Sequence, residues 1–219
     1  MLKKLYQPDG KRLTTMVVGR PGSGKSYFLK NTLEEFVKTN HNPDWRLVYV
    51  CPKWEMSLCG EKPITVDDLE KHLTKNQSAV VYPSINWIDE EVDYVIDLLF
   101  AIKESNPDFS ATLVIDDAQT FLSSRKAASN QFRRLALTGR SKGIRAIFVS
   151  HQMVFNKDLE GSTSYIVNFS LPVKLYHKDA MTRYGFDVEP YIEPLAQTDY
   201  SFVTFDVTKS TARLYEPIS

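Results

Sequence analysis

The sequence has no excess of either charge: Lys plus Arg number 27 and Asp plus Glu number 27. Composition therefore gives no sign of a polyanion-binding protein, although a neutral total still accommodates a local basic face. Cysteine is nearly absent. Cys51 and Cys59 have neither metal-ligand spacing nor a disulfide framework, which fits a reducing compartment and reads them as structural thiols. No apolar run reaches the length of a membrane-spanning helix, and Met1-Leu2-Lys3-Lys4-Leu5 lacks the apolar core of a secretion signal. The expectation is a soluble, intracellular protein with no integral membrane segment. Repeats, low-complexity tracts and long charge blocks are also missing, so nothing points to a solenoid, a flexible tail or a disordered arm.

What is present is a chain of 219 residues, 42% apolar and 12% aromatic, able to bury a sizeable core as a single domain over 1–219. Gly19-Arg20-Pro21-Gly22-Ser23-Gly24-Lys25-Ser26 follows the apolar run Met16-Val17-Val18. A strand feeding such a loop turns backbone N–H groups around a phosphate, and the next helix starts with free N–H groups aimed at the same anion. Lys25 is expected to reach the β- and γ-phosphates of ATP and Ser26 to ligate Mg²⁺, with Tyr27 completing the nucleotide-binding set. Phe28, Leu29, Leu33, Phe36 and Val37 recur at helical spacing behind the loop.

Continuous apolar runs at Leu13 to Val18, Arg46 to Cys51, Thr112 to Ile115 and Ile144 to Val149 read as buried strands of a parallel sheet. Ala79 to Tyr82 reads as a short strand, Asp67 to Leu73 as a short helix and Ile88 to Ile102 as an amphipathic helix with Asp89, Glu90 and Glu91 at its positive end. Lys53-Trp54-Glu55 lies just past the second strand, at the edge where α/β proteins bind ligands.

The strand at Thr112 ends on Asp116-Asp117. Opposite a phosphate loop, the first carboxylate can hold Mg²⁺-bound water and the second can polarise the attacking water. Without that loop, two acids merely end a strand and cap a helix. Ser123-Ser124 reads as the cap of a helix over about Arg125 to Thr138, with Gly139 at its C-terminal turn. Arg133, Arg134, Arg140, Lys142 and Arg145 crowd this region, either as a solvated face or as the source of an arginine finger. Gln152, at the tip of the next strand, suits a γ-phosphate sensor because an amide donates and accepts at once. His151 is read as a loop histidine without a catalytic part.

The stretch Leu137 to Gln152, with Gly139-Arg140, a basic spacer, Gly143-Ile144, an apolar strand and a polar-x-Gln tip, resembles the FtsK/HerA superfamily of DNA-pumping ATPases. In its small single-domain format the chain is similar to the genome-packaging ATPases of tailless internal-membrane double-stranded DNA viruses and poxvirus-like large viruses. The resemblance implies an α/β fold of the P-loop NTPase type (RecA/ASCE-like), a mostly parallel sheet with helices on both faces and C-terminal strands extending it. It implies that Lys25 and Ser26 bind ATP and Mg²⁺, Asp116 binds Mg²⁺, Asp117 activates water, Gln152 senses the γ-phosphate and Arg140 is a finger inserted into a neighbour. Many cellular members have Asp-Glu where this chain has Asp116-Asp117, one methylene shorter.

Implied partners are double-stranded DNA, further copies of the chain in a hexameric or pentameric ring, and capsid or internal viral membrane proteins. The implied location is the host cytoplasm or another intracellular assembly site, or the virion vertex. Lys53, Arg125 and Lys126 are candidates for gripping DNA. A small nucleotide or metabolite kinase shares the phosphate loop and the size, but no arginine-rich lid is visible. A Zot-type phage assembly ATPase would be expected to carry a membrane anchor.

In the C-terminal third, Tyr165 to Phe169 and Val173 to Tyr176 read as strands, Tyr200 to Val207 and Thr211 to Tyr215 as a hairpin, and Gly185 to Thr198 as a connecting segment.

Overall fold

The computed structural model describes residues 14–52, 57–75, 78–84, 88–120, 129–153, 157–169 and 175–217. Lys53-Trp54-Glu55, Ser123-Ser124, Arg125, Lys126 and the first half of Val173 to Tyr176 lie outside the described residues. The strands are β1 (Thr14–Val18), β2 (Trp45–Val50), β3 (Ala79–Val81), β4 (Ser110–Ile115), β5 (Ile144–Ser150), β6 (Thr163–Phe169), β7 (Phe202–Asp206) and β8 (Thr211–Tyr215). They form a single eight-stranded sheet in the order β3-β2-β4-β5-β1-β6-β7-β8. The first six in that order pair in parallel; β7 and β8 extend the sheet antiparallel.

The β1 to β5 strands are buried along almost their whole length because both faces are covered. Alternate side chains enter different cores, as the period of two requires. Met16, Val18, Val48, Val50, Leu113 and Ile115 join one core. Val17, Leu47, Tyr49, Val114, Ile147 and Val149 join the other. Helix α1 (Lys25–Thr39) covers the second face through Phe28, Leu29, Leu33 and Phe36. The first face is covered by α2 (Leu69–Thr74), α3 (Ile88–Ser105) and α4 (Asn130–Thr138), through Leu69, Val92, Val95, Ile96, Leu99, Phe132 and Leu135. Helix α5 (Lys157–Ser162) precedes β6. Helices therefore lie on both faces, as expected.

The C-terminal third departs from the sequence reading. Leu175 and Tyr176 begin a helix, α6 (Leu175–Arg183), where a strand was expected; its buried residues Ala180 and Met181 show the helical face. The segment over Gly185 to Thr198, read as a connecting segment, contains α7 (Glu189–Gln197) with Pro190 and Pro194 inside it. Pro190 falls in the first turn, where no N–H is needed. Pro194 is offset by packing: Leu195 is buried, and Tyr191 meets Phe205 edge-on at 5.7 Å. Tyr200 is not the first residue of a strand but a turn residue with φ +62°.

The α4 cap is Ser129, whose Oγ accepts from Phe132 N at 3.2 Å, rather than Ser123-Ser124. Gly139 ends α4 with right-handed dihedrals; glycine is needed there because a Cβ would lie 2.5 Å from the Leu135 carbonyl and 2.8 Å from that of Ile144. Cys51 is buried, whereas Cys59 is exposed on a turn, where its backbone N–H donates to Glu34 Oε1 at 2.9 Å. Among the described residues, no helix is long and apolar enough to cross a membrane.

Candidate active site

The loop Gly19–Gly24 joins the carboxyl end of β1 to α1. It is anchored to the neighbouring strand by a bond from Gly19 N–H to the Ser150 carbonyl at 3.3 Å. Gly24 occupies the N-cap of α1 with φ +94°, a left-handed position that favours glycine, and provides no side-chain cap. The first N–H groups of α1 thus have no capping partner, and no acid lies in the first turn, so the helix presents a net positive end. Lys25 is buried and folds back over the loop, its Nζ donating to the Gly19 carbonyl at 2.7 Å and the Arg20 carbonyl at 2.9 Å. Its ammonium therefore lies within the loop. Ser23 Oγ is buried with no hydrogen-bond partner among the described residues, a donor left unused inside the loop. Ser26 and Tyr27 are exposed on the first turn of α1.

Asp116 and Asp117 close the carboxyl end of β4. With β5 inserted between β4 and β1, the two acids lie two strands from the loop, about 10 Å at the usual strand spacing. Asp116 is buried. Its Oδ2 accepts from Tyr49 Oη at 3.1 Å and its Oδ1 from the backbone N–H of Asp117 at 2.9 Å. Burial raises the Tyr49 phenol well above its ordinary pKa, and the Asp116 charge raises it further, so Tyr49 stays protonated and donates. Cys51 Sγ lies 3.9 Å from the same Oδ2.

Asp117 has φ +50°, a left-handed conformation that Asp tolerates better than most residues. Its Oδ1 accepts from His151 Nε2 at 3.1 Å and from Gln119 Nε2 at 3.3 Å. Gln119 Oε1 in turn accepts from the His151 backbone N–H at 3.3 Å. The tip of β5 is thereby tied to the second carboxylate. Gln152 follows with its side chain exposed, its backbone held by reciprocal bonds with Ser150 Oγ at 3.1 and 2.8 Å.

The structure thus gathers Gly19 to Tyr27, Asp116, Asp117 and Gln152 at one edge of the sheet. Arg140 is not among them. It stands on the turn before β5, at the opposite edge, and β5 spans seven residues, about 20 Å. Its side chain is exposed and has no hydrogen bond or ion pair among the described residues. The other arginines of that region differ. Arg134 pairs with Glu104 at 2.7 Å and Asp97 at 3.6 Å and lies over the Phe100 ring, and Arg145 is buried in β5. Tyr49, Gln119 and His151 were not assigned from sequence. Tyr49 carried one usable sign, a hydroxyl-bearing aromatic in the apolar run Leu47 to Val50; the His151–Asp117 contact joins positions too far apart in the chain to be read locally.

No protein-family model matches the sequence, and no curated protein matches it. Solved structures do. The genome packaging NTPase B204 of Sulfolobus turreted icosahedral virus 2, in complex with ATP-gammaS, superposes with a TM-score of 0.73 at 18% identity over 97% of this chain and 100% of that one. The chain has the P-loop NTPase fold of that protein. B204 of Sulfolobus turreted icosahedral virus, a DNA-packaging ATPase, gives 0.72 at 18% identity over 94% and 98%. The cytoplasmic domain of the Type VII secretion ATPase EccC of Thermomonospora curvata gives 0.63 at 15% identity, covering 93% of this chain and 25% of that one.

Proposed function

We propose that this protein is a viral genome-packaging ATPase that couples ATP hydrolysis to translocation of double-stranded DNA into a preformed capsid. The observation that carries the reading is the convergence of the phosphate loop, Asp116-Asp117 and the β5 tip on one sheet edge, in a fold shared end to end with a protein solved as a packaging NTPase with a nucleotide analogue. The loop N–H groups, the start of α1 and Lys25 bind the phosphates. Asp117, held by His151 and Gln119, accepts the proton of the attacking water. Gln152 contacts the γ-phosphate or that water.

Mg²⁺ fits the donors available. Ser26 and Asp116 offer one hydroxyl and one carboxylate, and Mg²⁺ takes one or two carboxylates and completes its shell with water and substrate phosphate. It would neutralise phosphate charge.

Arg140 is too far from its own loop to act there, so its role as a finger requires a second copy of the chain, as in a ring. DNA tracking by such a ring would be independent of sequence and sensitive to salt. The test is phosphate release as a function of protein concentration, with and without duplex DNA. A rate per chain that rises with concentration and with DNA is expected; transfer of the γ-phosphate to a small acceptor would overturn the reading in favour of a kinase.

A further inference from the structure

A pocket of about 350 Å³ opens beside the N-terminus of α1. Phe28, Phe169 and Phe202 form its floor and are buried, with ring centroids 5.0–5.4 Å apart. Tyr27 and Tyr200, each 59% exposed, and Pro217 also line it. The aromatic floor is braced from below by Tyr215, stacked on Phe202 at 5.2 Å.

The pocket is continuous with the phosphate loop. Gly24 belongs to both, and Tyr200 packs so closely on it that a Cβ at Gly24 would lie 2.8 Å from the Tyr200 ring. A nucleoside joined to a triphosphate cradled by the loop would therefore have this pocket within reach. The volume falls in the range of small-ligand sites. Aromatic walls grip the flat faces of a base, and stacking tolerates any base because every base has such faces. Among the described lining residues, the only side-chain hydrogen-bonding groups are the two phenols.

We propose that this pocket holds the nucleobase of the bound triphosphate by stacking on Tyr27 and Tyr200, without reading the base edge, so that the site takes adenine and guanine nucleotides alike. The inference rests on the nucleotide-binding reading above. A site discriminates strongly between similar ligands only when buried polar groups would be left unpaired by the wrong one, and this pocket has few. The C-terminal hairpin, which carries Phe202 and Tyr215, is thereby part of the nucleotide site.

The test is calorimetric titration of the full chain with ATP, GTP and inorganic tripolyphosphate. In the wild type, Kd for ATP and GTP should agree within about tenfold, and tripolyphosphate should bind more weakly than either. Tyr27→Ala and Tyr200→Ala should each weaken ATP and GTP by about tenfold while leaving tripolyphosphate unchanged. Tyr27→Phe and Tyr200→Phe should retain nucleotide affinity, because the ring and not the phenol does the holding; both residues are surface-exposed, so the fold should survive.

The proposal is overturned if the Ala variants leave nucleotide affinity intact, if they weaken tripolyphosphate as much as ATP, if the Phe variants lose as much as the Ala variants, or if the wild type binds GTP more than about tenfold more weakly than ATP. Tripolyphosphate binding as tightly as ATP would remove the base pocket and leave the phosphate loop standing. Binding of none of the three would remove both.

Discussion

The two ends of β5 face different tasks. At the carboxyl end, Ser150 accepts from the loop at Gly19, His151 donates to Asp117, and Gln152 is held by reciprocal bonds with Ser150. At the amino end, the backbone is just as tightly closed: Ile144 N–H bonds the Gly139 carbonyl at 2.8 Å and Gly143 N–H that of Arg140 at 3.1 Å. Yet the Arg140 side chain stands exposed on that rigid turn with no partner among the described residues. One end is wired into its own site. The other holds a fixed backbone under an exposed cation, the group that the ring reading assigns to a neighbouring copy. On the ring reading proposed above, the same strand would link the site of one copy to the site of the next.

The comparison breaks first at Arg140. Arg140→Ala should lower turnover in the assembly by about 10³-fold or more, the range for arginine fingers, while the circular dichroism spectrum and melting temperature stay unchanged. Mixing it with Lys25→Ala protein should restore part of the activity, because some interfaces then pair an intact loop with an intact finger. No recovery at any ratio would mean that the far end of β5 serves nothing in a neighbour. At the near end, Asp117→Asn should lower turnover by about 10²–10⁴-fold with ATP affinity retained, read from single-turnover and binding measurements.

Tyr49→Phe tests the near edge more gently. It removes one hydrogen bond to the Asp116 carboxylate and leaves the packing in place. The apparent Mg²⁺ affinity in the ATPase assay should fall about tenfold, with KM for ATP at saturating Mg²⁺ unchanged. An unaltered Mg²⁺ requirement would show that the Tyr49 hydrogen bond does not hold Asp116 in place for the metal.

Much of this edge is legible in the sequence because it is built from contiguous signals. Four apolar runs each end in a chemically distinctive residue, and parallel strands deliver their carboxyl ends to one side. What stays hidden is contact between distant segments. His151 reads as a loop histidine until β4 and β5 are paired; only then does its ring meet Asp117. The α7 helix is hidden for a different reason. Pro194 is locally unfavourable there, and the helix persists because Tyr191 and Leu195 bury against the core, a gain that local propensity does not register. The Ser129 cap is similarly decided by tertiary context, since its Oγ also donates to Asp93 at 2.6 Å. Burial raises the Asp93 carboxyl above its ordinary range and so works against the ion, while this bond opposes the shift.

The smallest effect separates Arg140 from its neighbour Arg134. Arg134 projects from α4 onto α3, where Asp97, Glu104 and the Phe100 ring receive it, so its charge is spent within the chain. The side chain is 40% exposed, so each ion pair is screened and contributes only tenths of a kcal/mol. With the ring contact added, Arg134→Ala should cost about 1 kcal/mol, a fall in Tm of about 2–4 °C for a domain of this size. Turnover per assembled chain should stay unchanged. If Arg134→Ala instead stopped turnover and left Tm alone, the finger would belong to the helix and not to the turn, and the contrast between the two ends of β5 would lose its amino-terminal half.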